Sequence, residues 1–348
     1  METLINSKRI LFIQTAFLGD AILSLPAIES LKKTYSDYKI DVLCIPNTAE
    51  VFSSCPFVDE IVVLDKKGKH RSFFKLFNFI KEIRKRNYSR IYSAHRSFRT
   101  SIIVLFSEVK ETFGFSTASF NYVYNYLVDY TITDHEVKRN LDLVNYPKKI
   151  DEWKILPKVI INDQTKSKIK NLIEFHQDRI KIAIAPGSIW FTKKYPANKF
   201  KKIVEVLVER GFIIYLIGSK SDFNLCKSIM PENNNVFNFA GEFSVIETVE
   251  LLKNCNLLIS NDSAPTHMAM CADIPVLTIY CSTIPEFGFY PYNKDSDFVS
   301  LDGLFCKPCG IHGYKECPLG NFKCANDLNE EIIINKALEI LSKVENKE

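Results

Sequence analysis

The densest chemistry in the chain lies in Ser260-Asn261-Asp262-Ser263-Ala264-Pro265-Thr266-His267-Met268-Ala269. It follows Leu257-Leu258-Ile259, an apolar run that reads as a buried strand, and it opens a segment that reads as a helix. A strand that turns abruptly into a helix leaves unpaired N–H groups at the turn. With the positive end of the helix dipole, they make a site for phosphate. Asp262 and Ser263 are cap-type residues there, and His267 falls one turn on, on roughly the same face. The competing reading is an ordinary N-cap beside a buried histidine.

Two other loops carry polar residues at expected strand ends. After Ile180–Ala185 comes Pro186-Gly187-Ser188-Ile189-Trp190-Phe191-Thr192-Lys193-Lys194-Tyr195-Pro196, where a lysine is placed to hold phosphate as a point charge. After the first strand comes Gln14-Thr15-Ala16-Phe17-Leu18-Gly19-Asp20. Asp20 is either an N-cap carboxylate or a general base. A helix dipole lowers a carboxylate pKa, so the expectation is a base ionised at neutral pH and intrinsically weak.

These loops need a scaffold, and strand-like and helix-like segments alternate twice over. In the first half the expected strands are 9–13, 39–45, 61–64 and 90–94, with helices at 20–35, 71–88, 98–108 and 134–144. The second half expects strands at 180–185, 212–217, 235–239, 256–260 and 276–280, with helices between them and a last one at 329–343. The pattern is α/β: two doubly wound, Rossmann-like halves, with ligands at strand ends across a cleft. The boundary is placed at 155/156, the last helix being a candidate to pack back on the N-terminal domain.

The chain has 348 residues, enough for two domains. No apolar run approaches the roughly 20 residues of a membrane span. The polar start, Met1 to Arg9, and ten cysteines point to a cytoplasmic, reducing setting without an export signal. Net charge is +4, but twelve cations lie between Lys66 and Arg99 with Glu82 as the only acid among them. That run is either a solvated helix face or an electropositive surface for a phosphate-bearing partner or an anionic membrane. The interleaved Phe73, Phe74, Leu76, Phe77, Phe79, Ile80 and Ile83 suit a helix packed on a sheet. No nucleic-acid module is visible.

Three segments together resemble glycosyltransferase family 9, the heptosyltransferases of the bacterial lipopolysaccharide inner core. They are Leu18-Gly19-Asp20 with Leu25-Pro26-Ala27, Ala185-Pro186-Gly187-Ser188 with Thr192-Lys193-Lys194-Tyr195-Pro196, and Asn261 to Ala269. The resemblance implies a GT-B fold, with the acceptor held by the N-terminal half and the nucleotide sugar by the C-terminal half. It implies Asp20 as catalytic base, Lys193 and Ser188 on phosphate, Asp262, Ser263 and Ala264 as the diphosphate loop, and His267 as the family's histidine. It further implies an inverting transfer without a catalytic metal, from ADP-heptose to an anionic glycolipid, at the cytoplasmic face of the membrane. Another nucleotide-sugar donor, or a protein or other surface-glycan acceptor, stays open.

Ala264 stands where the family commonly has Gly. In Gly218-Ser219-Lys220-Ser221-Asp222, Asp222 is the candidate nucleoside contact. Arg96 and Arg99, after the strand ending near Ala94, are candidate acceptor contacts or a solvated helix start. Cys306, Cys309, Cys317 and Cys324 have spacing that fits a structural zinc, against free thiols or disulfides. Asp295-Ser296-Asp297 reads as solvated loop.

Overall fold

The computed structural model describes residues 8–176 and 179–345. Residues 1–7, most of the stretch on which the export-signal expectation rests, lie outside that range. The chain divides into two compact units after Ile160, slightly beyond the expected boundary.

The first unit is a parallel sheet of β1 (Arg9–Ile13), β2 (Lys39–Cys44), β3 (Glu60–Val63), β4 (Arg90–Ser93), β5 (Glu111–Phe115) and β6 (Tyr126–Val128). Their spatial order is β3-β2-β1-β4-β5-β6. Leu11 and Ile13 join Leu43, Ile91, Phe79, Ile80 and Ile83 in one buried cluster. The period of a strand sends Ile10 and Phe12 to the opposite face, where they are equally buried. A sheet covered on both sides needs such runs of apolar residues, and β1 supplies one.

The second unit repeats the plan with β7 (Lys181–Ala185), β8 (Ile213–Leu216), β9 (Val236–Asn238), β10 (Leu257–Asn261), β11 (Val276–Tyr280) and β12 (Asp297–Ser300). Its order, β12-β11-β10-β7-β8-β9, is the same winding read from the other edge. In both sheets the chain reverses its direction of growth between the first and fourth strands, and the loops leaving those strands flank the switch point where doubly wound sheets bind ligands.

Several expectations need correction. The helix expected over 20–35 breaks at Ser24 into Leu18–Leu23 and Leu25–Thr34, because Pro26 is tolerated only in a first turn. The last helix, Glu330–Glu345, places Ile333, Ile334, Ala337, Ile340 and Leu341 in the second unit's core. Asp297 is not solvated loop: it opens β12 and pairs with Lys336 at 3.0 Å. Strands β5, β6 and β12 and the helix Asp163–Ile173 were not expected at all.

Candidate functional site

In the second unit Ser260 stands in register with Ala185, so the loops after β10 and β7 leave the sheet side by side. Asn261 ties them together: its Nδ2 donates to the Pro186 carbonyl at 2.7 Å, and its Oδ1 accepts from the Tyr195 N–H at 3.1 Å. Lys193 reaches across to Asp262, with Nζ 2.6 Å from Oδ2. The Thr283 hydroxyl donates to the same oxygen at 2.7 Å. Asp262 therefore does not cap the helix. Ser263 is the N-cap of Ala264–Ala272, and it makes no side-chain cap bond. In the first turn Pro265 has no N–H and the Thr266 N–H donates to the Ser263 carbonyl at 3.1 Å, so the Ala264 N–H is the helix-start donor left for an anion.

His267 is buried, and its Nδ1 has no hydrogen-bond partner among the described residues. Burial brings its pKa down to about 4, against the pull of Asp262 and with help from Lys193, so the ring is neutral in ordinary buffers. Asp222 lies at the same end of the sheet. A Cβ on Gly187 would stand 2.5 Å from its carboxylate, so a side chain there would displace Asp222. Asp222 accepts from the Ser219 N–H and hydroxyl at 2.9 and 2.6 Å. Ser188 is partly exposed beside Gly187. The structure thus brings Ser188, Lys193, Asp222, Asp262, Ser263, Ala264 and His267 to one loop cluster.

In the first unit Ile13 pairs with Ser93, so the loops after β1 and β4 also emerge together. His95 Nδ1 lies 2.7 Å from the Thr15 hydroxyl, and Lys66 Nζ donates to the Thr15 carbonyl at 2.8 Å. Asp20 sits in the first turn of Leu18–Leu23, whose N-cap is Phe17. The residue is only partly covered, yet its carboxyl group departs from the expected low pKa. Desolvation first, then the charge of Glu136, raises it to about 7, while the backbone N–H groups of Asp20 and Phe17 and the charge of Arg139 pull the other way.

Glu136 is held by Arg139 at 2.8 Å, and both are buried. The Tyr130 ring meets two cations, with the Arg96 guanidinium 3.7 Å and the Arg139 guanidinium 4.5 Å from its centre. Arg96 is therefore tied to the surroundings of Asp20, and it also donates to Thr117 at 3.0 Å. Arg99 donates to the His70 carbonyl at 2.9 Å. Neither arginine is a freely solvated helix start.

The cysteine segment abuts the Lys193 turn. The Thr192 hydroxyl accepts from the Tyr314 N–H at 2.8 Å and from the Ser282 hydroxyl at 3.0 Å. Gly313, at φ +77°, packs so closely that a Cβ would lie 2.9 Å from Thr192 Oγ1 and 3.3 Å from Lys193 Cγ. Cys306, Cys309 and Cys317 line an open pocket in this loop, while Cys324 is buried in the second core. No group of three or more His, Cys, Asp or Glu among the described residues is placed to hold a metal ion. Cys324 nonetheless lies near enough to Cys306, Cys309 and Cys317 for their charges to act on its thiol. Burial would raise the Cys317 thiol, but the N–H groups of Phe322, Leu319, Asn321 and Gly320 bring it below the ordinary value.

Thr283, Gly313, Tyr130, Glu136 and Arg139 escaped the sequence reading. Asn261 and Thr192 sat inside its strand-end motifs, although their bridging contacts were not foreseen. The others meet their partners only through the fold.

Two Rossmann units of identical winding, one with a cationic loop and helix N-terminus at its switch point, define the GT-B class. The profile described as "Glycosyltransferase family 9 (heptosyltransferase)" matches residues 76–319. The chain belongs to that family and is a glycosyltransferase. It is 25% identical over 317 residues to lipooligosaccharide heptosyltransferase 2 of Haemophilus ducreyi, covering 86% of this chain and 90% of that one. In structure it is similar to the family 9 glycosyl transferase of Veillonella parvula, with a TM-score of 0.85, 22% identity and coverage of 98% and 99%. It is also similar to the ADP-heptose lps heptosyltransferase II of E. coli, with a TM-score of 0.79, 20% identity and coverage of 97% and 99%.

Proposed function

We propose that this glycosyltransferase moves a heptosyl group from ADP-heptose to a sugar hydroxyl of a lipopolysaccharide-core acceptor, in one displacement with inversion. The observation that carries the reading is the loop cluster of the second unit, where Lys193 and the open N-terminus of Ala264–Ala272 stand together at the switch point. The acceptor oxygen attacks the anomeric carbon, the bond to the diphosphate oxygen breaks with its electron pair, and the acceptor proton passes to the Asp20 carboxylate. Negative charge then grows on the leaving diphosphate. Lys193, the Ala264 N–H and the helix dipole stabilise it more as the bond lengthens, which is the condition for lowering the barrier.

Asp262 has a different role from the one its position in the motif suggests. A carboxylate repels a diphosphate, and this one is engaged by Lys193 and Thr283. It is a positioning residue that aims Lys193. His267 offers an unfilled hydrogen-bonding nitrogen to the donor, Asp222 is the nucleoside contact, and Arg96 and Arg99 meet the acceptor's anionic groups. The names of the similar heptosyltransferases support the choice of donor and acceptor.

The test is nucleotide release from ADP-heptose, a UDP-sugar and a GDP-sugar, each with and without lipopolysaccharide-core acceptor. Acceptor-dependent release of ADP alone is expected. Acceptor-dependent release of UDP or GDP instead would assign another donor.

A further inference from the structure

The twelve cations between Lys66 and Arg99 separate into two populations. Most are engaged: Arg84 pairs with Glu108, Lys85 with Glu82, Arg86 with Glu60 and Arg90 with Glu111. Lys66, Arg96 and Arg99 bond to unit-one loops, as described above. Lys67, Lys69, Arg71, Lys75 and Lys81 make no ion pair with an acid among the described residues. Asp65, the acid nearest in sequence, turns its carboxylate onto the N–H groups of Lys67, Gly68 and Lys69 instead. Lys67, Lys69, Arg71 and Lys75 occupy one loop and the start of the helix Phe73–Lys85, and Lys81 lies further along that helix.

That same helix start carries apolar side chains the core does not use. Leu76, Phe79, Ile80 and Ile83 are packed inside, as the spacing predicted, but Phe73 and Phe74 are 82% and 87% exposed. Phe77, one turn on, is half exposed and meets Phe106 edge-on, with ring centres 5.8 Å apart. Phe106 and its neighbour Leu105 are themselves exposed, so the strip continues past the helix. Lys81 lies over the Phe77 ring at 5.6 Å.

We propose that this patch docks the protein on an anionic phospholipid surface, with Phe73 and Phe74 entering the headgroup boundary and Lys67, Lys69, Arg71 and Lys75 meeting lipid phosphates. Exposed aromatic rings among unpaired cations are the chemistry of an interfacial element. A protein partner would need acids interleaved with apolar pockets, whereas a bilayer presents both everywhere. The proposal is independent of the donor and acceptor assigned above, because binding is read on lipid alone.

The experiment is co-sedimentation of the full chain with vesicles of phosphatidylcholine, with and without phosphatidylglycerol, in the absence of nucleotide and acceptor. The protein is expected to bind only the anionic vesicles and to be released by salt. Phe73→Ser/Phe74→Ser and, separately, Lys69→Gln/Arg71→Gln/Lys75→Gln should each lower binding about tenfold or more. All five side chains lie outside the core, and unchanged nucleotide release with a soluble acceptor fragment shows that each variant is folded. Failure of the parent protein to bind anionic vesicles, or undiminished binding by the phenylalanine variant, would overturn the proposal. So would self-association that the phenylalanine variant abolishes, which would assign the patch to a second copy of the chain.

Discussion

At the residue scale, the informative groups are those whose surroundings change their chemistry. Asp20 reads from sequence as a helix-start carboxylate, which the dipole would keep strongly acidic. Its pKa is instead raised from 3.8 to about 7, by enclosure and by Glu136, a residue far away in the chain. No local pattern reveals that neighbour. The consequence for activity has a definite sign. A base must be unprotonated, so kcat/KM should fall as pH drops through about 7, with a slope of one proton. A limb lying at the ordinary carboxylate value would show that Asp20 titrates as an exposed side chain or is not the base. His267 adds no limb in that range, since its ring is neutral down to about 4.

At the scale of elements, the loops at the switch points work because neighbouring strands end level. Asn261 then joins the Pro186 turn to the Tyr195 turn through two bonds from one buried amide. Asn261→Leu would leave the Tyr195 N–H and the Pro186 carbonyl buried without partners. A loss of about 3 kcal/mol in unfolding free energy is expected by denaturant titration, together with weaker ADP binding. Unaltered stability and affinity would mean that the loops hold their places without this bridge. Elements with continuous apolar runs, such as β1, β7 and β10, were legible in the sequence. Strands β5, β6 and β12 were not, because Gly114 and Glu111 interrupt one, another spans three residues, and the third is an edge strand beginning with Asp297. The break at Ser24 was missed although Pro26, its cause, was in plain view.

At the scale of the molecule, the chain is the same winding made twice, with different chemistry placed at each switch point. The first unit supplies a carboxyl group that titrates near neutrality beside a basic loop cluster. The second supplies Lys193, paired with Asp262, and a helix start whose Ala264 N–H no side chain caps. The duplication and the three motif loops were visible in the sequence. The contacts within each loop were not, since Lys193 and Thr283 meet Asp262 only through the fold. Both units must serve one displacement for the proposed reaction to proceed, and the two contributions are separable by mutation.

Asp20→Asn separates them most directly, with turnover of ADP-heptose and acceptor measured alongside ADP affinity by calorimetry. Turnover is expected to fall by roughly two to four orders of magnitude while ADP affinity stays near that of the parent protein. Turnover that persists, or ADP affinity that collapses in step with it, would contradict the assignment of base and leaving-group cradle to different units.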